Sequence, residues 1–167
     1  MTTIVKPRKI VSTAGTTREF IRILKRMSGA GPADVLAVRL IIEPQAAAAV
    51  VSSASGADLK FIREAHDAAM AAPDLASFEH WDGELHSRIY SATRNELLIS
   101  LNNLLADIRT RTPWIRLKQR VITEDKRREY CAHHAAIVDA IARRNADQAS
   151  DAMHMHISVI IDDLFPK

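Results

Sequence analysis

Four side chains in this 167-residue sequence have the types and positions to hold a metal ion. Two lie in residues 78–95, FEHWDGELHSRIYSATRN, where Phe78, Leu85, Ile89 and Ala92 recur at helical steps. Asp82 and His86 sit inside that apolar stripe, four residues apart and so one above the other on the face that turns inward. His134 falls in the stripe Tyr130, His134, Ile137, Ile141, and His156 in the stripe Ala149, Met153, His156, Ile160, Leu164. A carboxylate facing a core is costly unless something cationic satisfies it. Three helices thus each aim a metal-capable group into one small interior.

Each residue taken singly has a plainer explanation. A histidine on an apolar helix face is commonly a hydrogen-bonded core residue, and Asp82 could be held by Arg39 or Arg109 as a buried ion pair. Together, the four would need four separate partners, whereas one divalent ion satisfies all of them. Three imidazoles and a carboxylate suit zinc first, with nickel, manganese, iron or cobalt as alternatives, and suit calcium poorly. Four protein ligands leave a position open on a five- or six-coordinate ion, where a carboxylate ligand or a water could bind. Arg39, Arg109 and Arg111 are the candidates to grip an anionic ligand, since guanidinium meets carboxylate in a two-point fork. His66, His80, His133 and His154 fall beside the stripes and read as surface residues or as neighbours of the ligands; Trp81 and Tyr90 read as packing.

Other chemistries find little support. There is no glycine-rich phosphate loop, no HExxH and no CxxC. A di-iron carboxylate bundle needs Glu-x-x-His on two helices, and only Asp151-x-x-His154 comes near. Cys131 and His134 have a helical offset but no evident oxyanion partner.

The elements that must position these groups read as helices throughout. Apolar residues make up 47% of the chain, aromatics only 5%, and alternating strand patterns are scarce, which favours an all-α, antiparallel bundle of six or seven helices. Residues 1–16 read as irregular or extended and 17–27 as a short amphipathic helix. Ser28-Gly29-Ala30-Gly31-Pro32 breaks the chain. A helix then begins near Ala33, with Pro44 expected to break or kink it before it continues to Ser55-Gly56. Further helices are expected over 58–72, from Asp74 to a close at Asn95 in the left-handed conformation, over 96–112 until Pro113 interrupts, from an N-cap at Thr123 to about 143, and over 146–165. No apolar run approaches the roughly 18 residues of a membrane span, and the first residues lack the apolar stretch of a secretory signal. A lone cysteine, Cys131, fits a cytoplasmic protein.

Charge is uneven. Residues 1–30 hold seven of the 23 basic residues and one of the 20 acids, leaving 16 and 19 for the remainder. A basic head on a near-neutral body marks either a solvated linker or proximity to nucleic acid.

Four segments resemble the FCD (FadR C-terminal) domain, the helical effector-binding half of bacterial GntR-superfamily transcription regulators. They are DVLAVRLIIEPQAAAAV at 34–50, Asp82-x-x-x-His86 with IYSATRNELL at 89–98, HHAAIVDAIARRNADQA at 133–149, and AMHMHI at 152–157. Their order and the 22-residue step from His134 to His156 fit the family pattern over about residues 33–165. The resemblance implies one divalent ion held by Asp82, His86, His134 and His156, a small organic acid beside it, and a homodimer. Leu85 departs from a Phe common before the helix histidine. The resemblance also implies a preceding winged helix-turn-helix of about 70 residues, for which this sequence has no room. Residues 1–32 read as a basic linker with a remnant of the wing, and 33–167 as the metal- and effector-binding domain. The expected function is therefore a ligand sensor, not an enzyme. Contact with an operator would be made only through a winged helix outside this sequence. The alternatives are a hydrolase acting through metal-bound water and a metal-free dimerisation bundle.

Overall fold

The computed structural model describes residues 29–167, all of whose regular structure is helical. The expected extended segment 1–16 and helix 17–27 lie outside the described residues. Gly31–Lys167 forms one compact unit. Its seven helices are α1 (Pro32–Ser53), α2 (Gly56–Met70), α3 (Leu75–Ala92), α4 (Glu96–Arg109), α5 (Thr112–Val121), α6 (Glu124–Ala142) and α7 (Ala146–Leu164). The most extensive packing is α1 on α7, α2 on α3 and α6 on α7.

The core explains the alanine-rich composition. Ala46 and Ala47 of α1, Ala65 and Ala69 of α2, and Ala149 of α7 are all buried. Small side chains there let the helix axes approach closely. Leu36, Ile62, Phe78, Leu85, Ile89, Ile137, Ile141, Met153 and Ile160 fill the space between them.

Pro44 does not break α1, which runs unbroken for 22 residues with the proline buried inside it. An internal proline costs a helix about 3 kcal/mol through one lost hydrogen bond and a ring clash. Burial of Val35, Leu36, Ala46, Ala47 and Val50 on both sides of it offsets that cost. At the front, Gly31 N–H donates to Asp34 Oδ2 at 2.9 Å and Pro32 takes the first turn, where no N–H is needed. Helix α1 is also long and apolar enough to cross a membrane by length and composition, contrary to the sequence expectation. Half of that stretch is buried in the bundle, together with an Arg39–Glu43 ion pair, so it is a core helix here.

Asn95 does not close α3. The left-handed residue is Arg94 (φ 58°), and Asn95, at φ −105°, is the N-cap of α4, accepting from Leu97 N and Leu98 N at 3.0 and 3.2 Å. The same Arg-Asn device recurs between α6 and α7, where Arg144 (φ 59°) precedes the N-cap Asn145. Arg144 also donates to the carbonyls of Val51 and Ala54 at 2.7 and 2.8 Å, satisfying the C-terminal end of α1. Pro113 starts a helix and does not merely interrupt one: it sits in the first turn of α5, a helix the sequence reading left out. Thr123 caps α6 as expected, with Glu124 and Asp125 in the first turn.

The reassigned cap is testable by urea denaturation. Asn95→Ala is expected to cost about 1 kcal/mol. Arg94→Gly is expected to leave stability unchanged or raise it, because relief of a left-handed L-residue, about 1–2 kcal/mol, exceeds the loss of an exposed ion pair to Asp58.

Candidate metal centre

Helices α3, α6 and α7 bring Asp82, His86, His134 and His156 together in the interior, where all four are buried. One ligand atom from each lies within 4.8 Å of every other. His134 Nε2 and His156 Nε2 are 3.2 Å apart, and Asp82 Oδ1 is 3.4 Å from His134 Nε2. A tetrahedral zinc with bonds of about 2.0–2.1 Å spaces its ligand atoms by about 3.3 Å, so these two separations match edges of such a polyhedron. Asp82 Oδ1 has no hydrogen-bonding partner among the described residues, and neither have the Nδ1 atoms of His134 and His156. A buried carboxylate oxygen with no donor beside converging imidazole nitrogens fits a divalent ion, and the residues present fit the expected group.

The second oxygen of Asp82 is anchored. Arg109 Nη2 of α4 donates to Asp82 Oδ2 at 2.6 Å, so one oxygen is fixed while the other faces the histidines. Burial alone would raise the carboxyl pKa, but His134, Arg109, Lys118 and His86 together hold it well below the usual range. His86 is held from α1. Arg39 Nη2 lies 3.1 Å from His86 Nε2, and because guanidinium can only donate, Nε2 accepts, using the lone pair that Arg39 would have to yield to an ion. The proton of His86 is then on Nδ1, which lies 2.8 Å from Glu43 Oε2. Arg39 Nε in turn donates to Glu43 Oε1 at 2.6 Å. Burial opposes ionisation of Glu43, yet the Arg39 guanidinium and His86 outweigh it and depress the Glu43 pKa. Burial pushes the pKa of His86 down and that of His156 down further, with the other imidazoles adding to the effect at His156.

Of the three arginines singled out in the sequence, Arg39 and Arg109 reach the cluster, whereas Arg111 pairs with Asp107 at 3.0 Å. Arg109 has a second role. It lines a cleft of about 570 Å³ between α3, α4 and α5, with Glu79, Gly83, Trp114 and Lys118 among the other walls. Its guanidinium lies 5.6 Å from the Trp114 ring centroid, and the Lys118 ammonium 5.8 Å. Lys118 is buried and donates to Glu79 at 3.0 Å. Sequence reasoning missed Glu43, Lys118 and Trp114. The four-residue step from Arg39 to Glu43 on an apolar helix was a usable signal for Glu43. Lys118 and Trp114 lie on the unrecognised α5. Among the other histidines, His66 is buried with its Nδ1 unpartnered among the described residues, His133 packs its ring 6.0 Å from that of His156, and His80 and His154 are exposed. Tyr90 is buried as expected, and burial and Glu43 raise its pKa.

Two outcomes follow from this electrostatic arrangement. Glu43→Ala leaves the Arg39 guanidinium buried without its carboxylate and is expected to cost about 3–5 kcal/mol in urea unfolding. In chelator-treated protein, thermal stability is expected to fall as pH drops below about 6.5. The unfolded chain then protonates its histidines while folded His86 and His156, with lowered pKa values, resist. A melting temperature independent of pH between 7 and 5 would contradict it.

A family model, the FCD domain, matches residues 34–159. The chain is 29% identical over 132 residues to the Uxu operon transcriptional regulator of Escherichia coli, covering 77% of this chain and 51% of that protein. It is 28% identical over 85 residues to the Uxu operon regulator of Haemophilus influenzae, covering 50% of this chain and 32% of that one. The chain therefore spans about half the length of the first relative and a third of the second. Both relatives are regulators of an Uxu operon. Among solved structures, Streptococcus agalactiae GntR aligns with a TM-score of 0.62 at 22% identity, over 90% of this chain and 65% of that one. E. coli McbR/YncC aligns with a TM-score of 0.73 at 15% identity, over 92% and 80%. Both share the fold.

Proposed function

Since this chain belongs to the FCD-domain family, we propose that it is the ligand-sensing domain of a GntR-type transcription regulator, loaded with a divalent metal ion and responsive to a small organic acid. The observation that carries the reading is the convergence of Asp82, His86, His134 and His156, four buried donors within 4.8 Å. These residues would hold the ion, with zinc the first expectation and nickel, manganese or iron as alternatives. Bound there, the ion supplies a buried positive charge and a Lewis-acidic position for a ligand carboxylate.

The chain's own residues orient that arrangement. Arg109 fixes Asp82 through one oxygen. Glu43 fixes the tautomer and ring position of His86, a carboxylate–histidine pairing that also makes the imidazole a better donor. Arg109 stands between the cluster and the cleft, so the guanidinium that anchors Asp82 is also placed to meet an incoming acid. Arg39 supports the same end, and Arg111 remains a candidate on the strength of its residue type.

Signalling needs a ligand that binds two arrangements of the bundle unequally. In this reading the domain works as a cytoplasmic homodimer that passes the change to winged-helix domains contacting an operator. Its likeness to two regulators of an Uxu operon supports a role in operon control.

Metal analysis of the untagged protein purified without added metal tests the reading. The parent is expected to carry close to one divalent ion per chain, and an Asp82→Ala/His156→Ala variant to lose it while keeping its helicity. A parent that is metal-free and takes up neither zinc, nickel nor manganese on titration sinks the proposal.

A further inference from the structure

The cleft beside Arg109 is larger and more apolar than a small acid needs. Its volume of about 570 Å³ would hold roughly 15–20 groups the size of a water molecule at about 30 Å³ each. An acid with four or five heavy atoms would leave most of it wet. Leu75, Ala76, Ala106, Trp114 and Ile115 give the cleft a mainly hydrocarbon and indole lining.

Gly83 marks the same space from the α3 side. It lies in the interior of a helix, where glycine costs about 1 kcal/mol relative to alanine. Yet a Cβ built there meets nothing within 4 Å, so packing against a neighbouring helix does not account for the missing side chain. What a side chain at 83 would enter is the cleft.

Charge limits the ligand to one acidic group. Arg109 is partnered by Asp82 and Lys118 by Glu79. Glu79 and Glu84 both line the cleft and would repel a second carboxylate.

We infer that the cleft between α3, α4 and α5 takes a monocarboxylic acid with an extended apolar body. The carboxylate meets Arg109, and the body lies along Trp114 and Ile115 over the space left by Gly83. This rests on the reading of the domain as an organic-acid sensor and adds the class of acid.

Calorimetric titration of the full, metal-loaded chain with acetate, butanoate, hexanoate and octanoate, and with hexanedioate as the two-headed control, tests it. Affinity is expected to rise roughly fourfold per buried methylene along the series. Hexanoate is expected to bind more tightly than hexanedioate. Gly83→Leu, which fills the space, is expected to bring octanoate back to the acetate affinity while metal content and helicity stay at the parent values. Ile115→Ser, at a half-exposed position, is expected to weaken octanoate several-fold more than it weakens acetate. Equal affinities along the series overturn this inference alone and leave the sensor reading standing, as do tighter hexanedioate or variants without effect. Failure of every acid to bind the metal-loaded chain overturns both.

Discussion

The interior of this bundle depends on the cost of putting charge where water cannot reach. Asp82, Glu43 and Arg39 are almost fully buried, and three imidazoles share the same space. A lone buried carboxylate would neutralise itself by taking a proton. Here the reverse holds, because Arg109 grips Asp82 and Arg39 grips Glu43, and both carboxyl groups stay ionised. His86 and His156 respond oppositely. Burial pushes both pKa values down, with the neighbouring imidazoles adding to the effect at His156, and neutral imidazole is the form that ligates metals.

That arrangement distributes the work among helices. Helix α3 supplies two of the clustered side chains, and α6 and α7 one each. Helix α1 supplies no member of the cluster but sets the tautomer of His86 through the Arg39–Glu43 pair. Helix α4 contributes Arg109, which ties the cluster to solvent by way of the cleft. A ligand bound in the cleft and any change at Asp82 therefore act on the same guanidinium. This gives the sensor reading a physical link between its two sites, with no longer chain of contacts required.

The fold was largely legible in the sequence because helical stripes are a local property. Each expected helix in the described residues is present, and the cap at Thr123 follows from a residue type that favours such positions. The misreadings share a cause, since each concerns a residue with two roles. Pro44 is a breaker by its chemistry, yet burial on both sides carries α1 through it. Asn95 tolerates the left-handed conformation but caps better, so Arg94 takes the positive φ. Pro113 ends one helix and opens another.

By itself the sequence determined which side chains turn inward. Asp82, His86, His134 and His156 lie on apolar stripes whose period is fixed by the 3.6-residue turn, and that period does not depend on the rest of the fold. Distances between stripes were left to the tertiary structure, because helix crossing and rotation depend on how alanines and large side chains interlock across the whole core. Only packing placed His134 and His156 at 3.2 Å, chose Arg109 over Arg39 as the partner of Asp82, and brought Glu43 to His86. The cleft was likewise decided there. Its walls come from three helices, one of them α5, whose short basic sequence gave no sign that Lys118 and Trp114 would be buried.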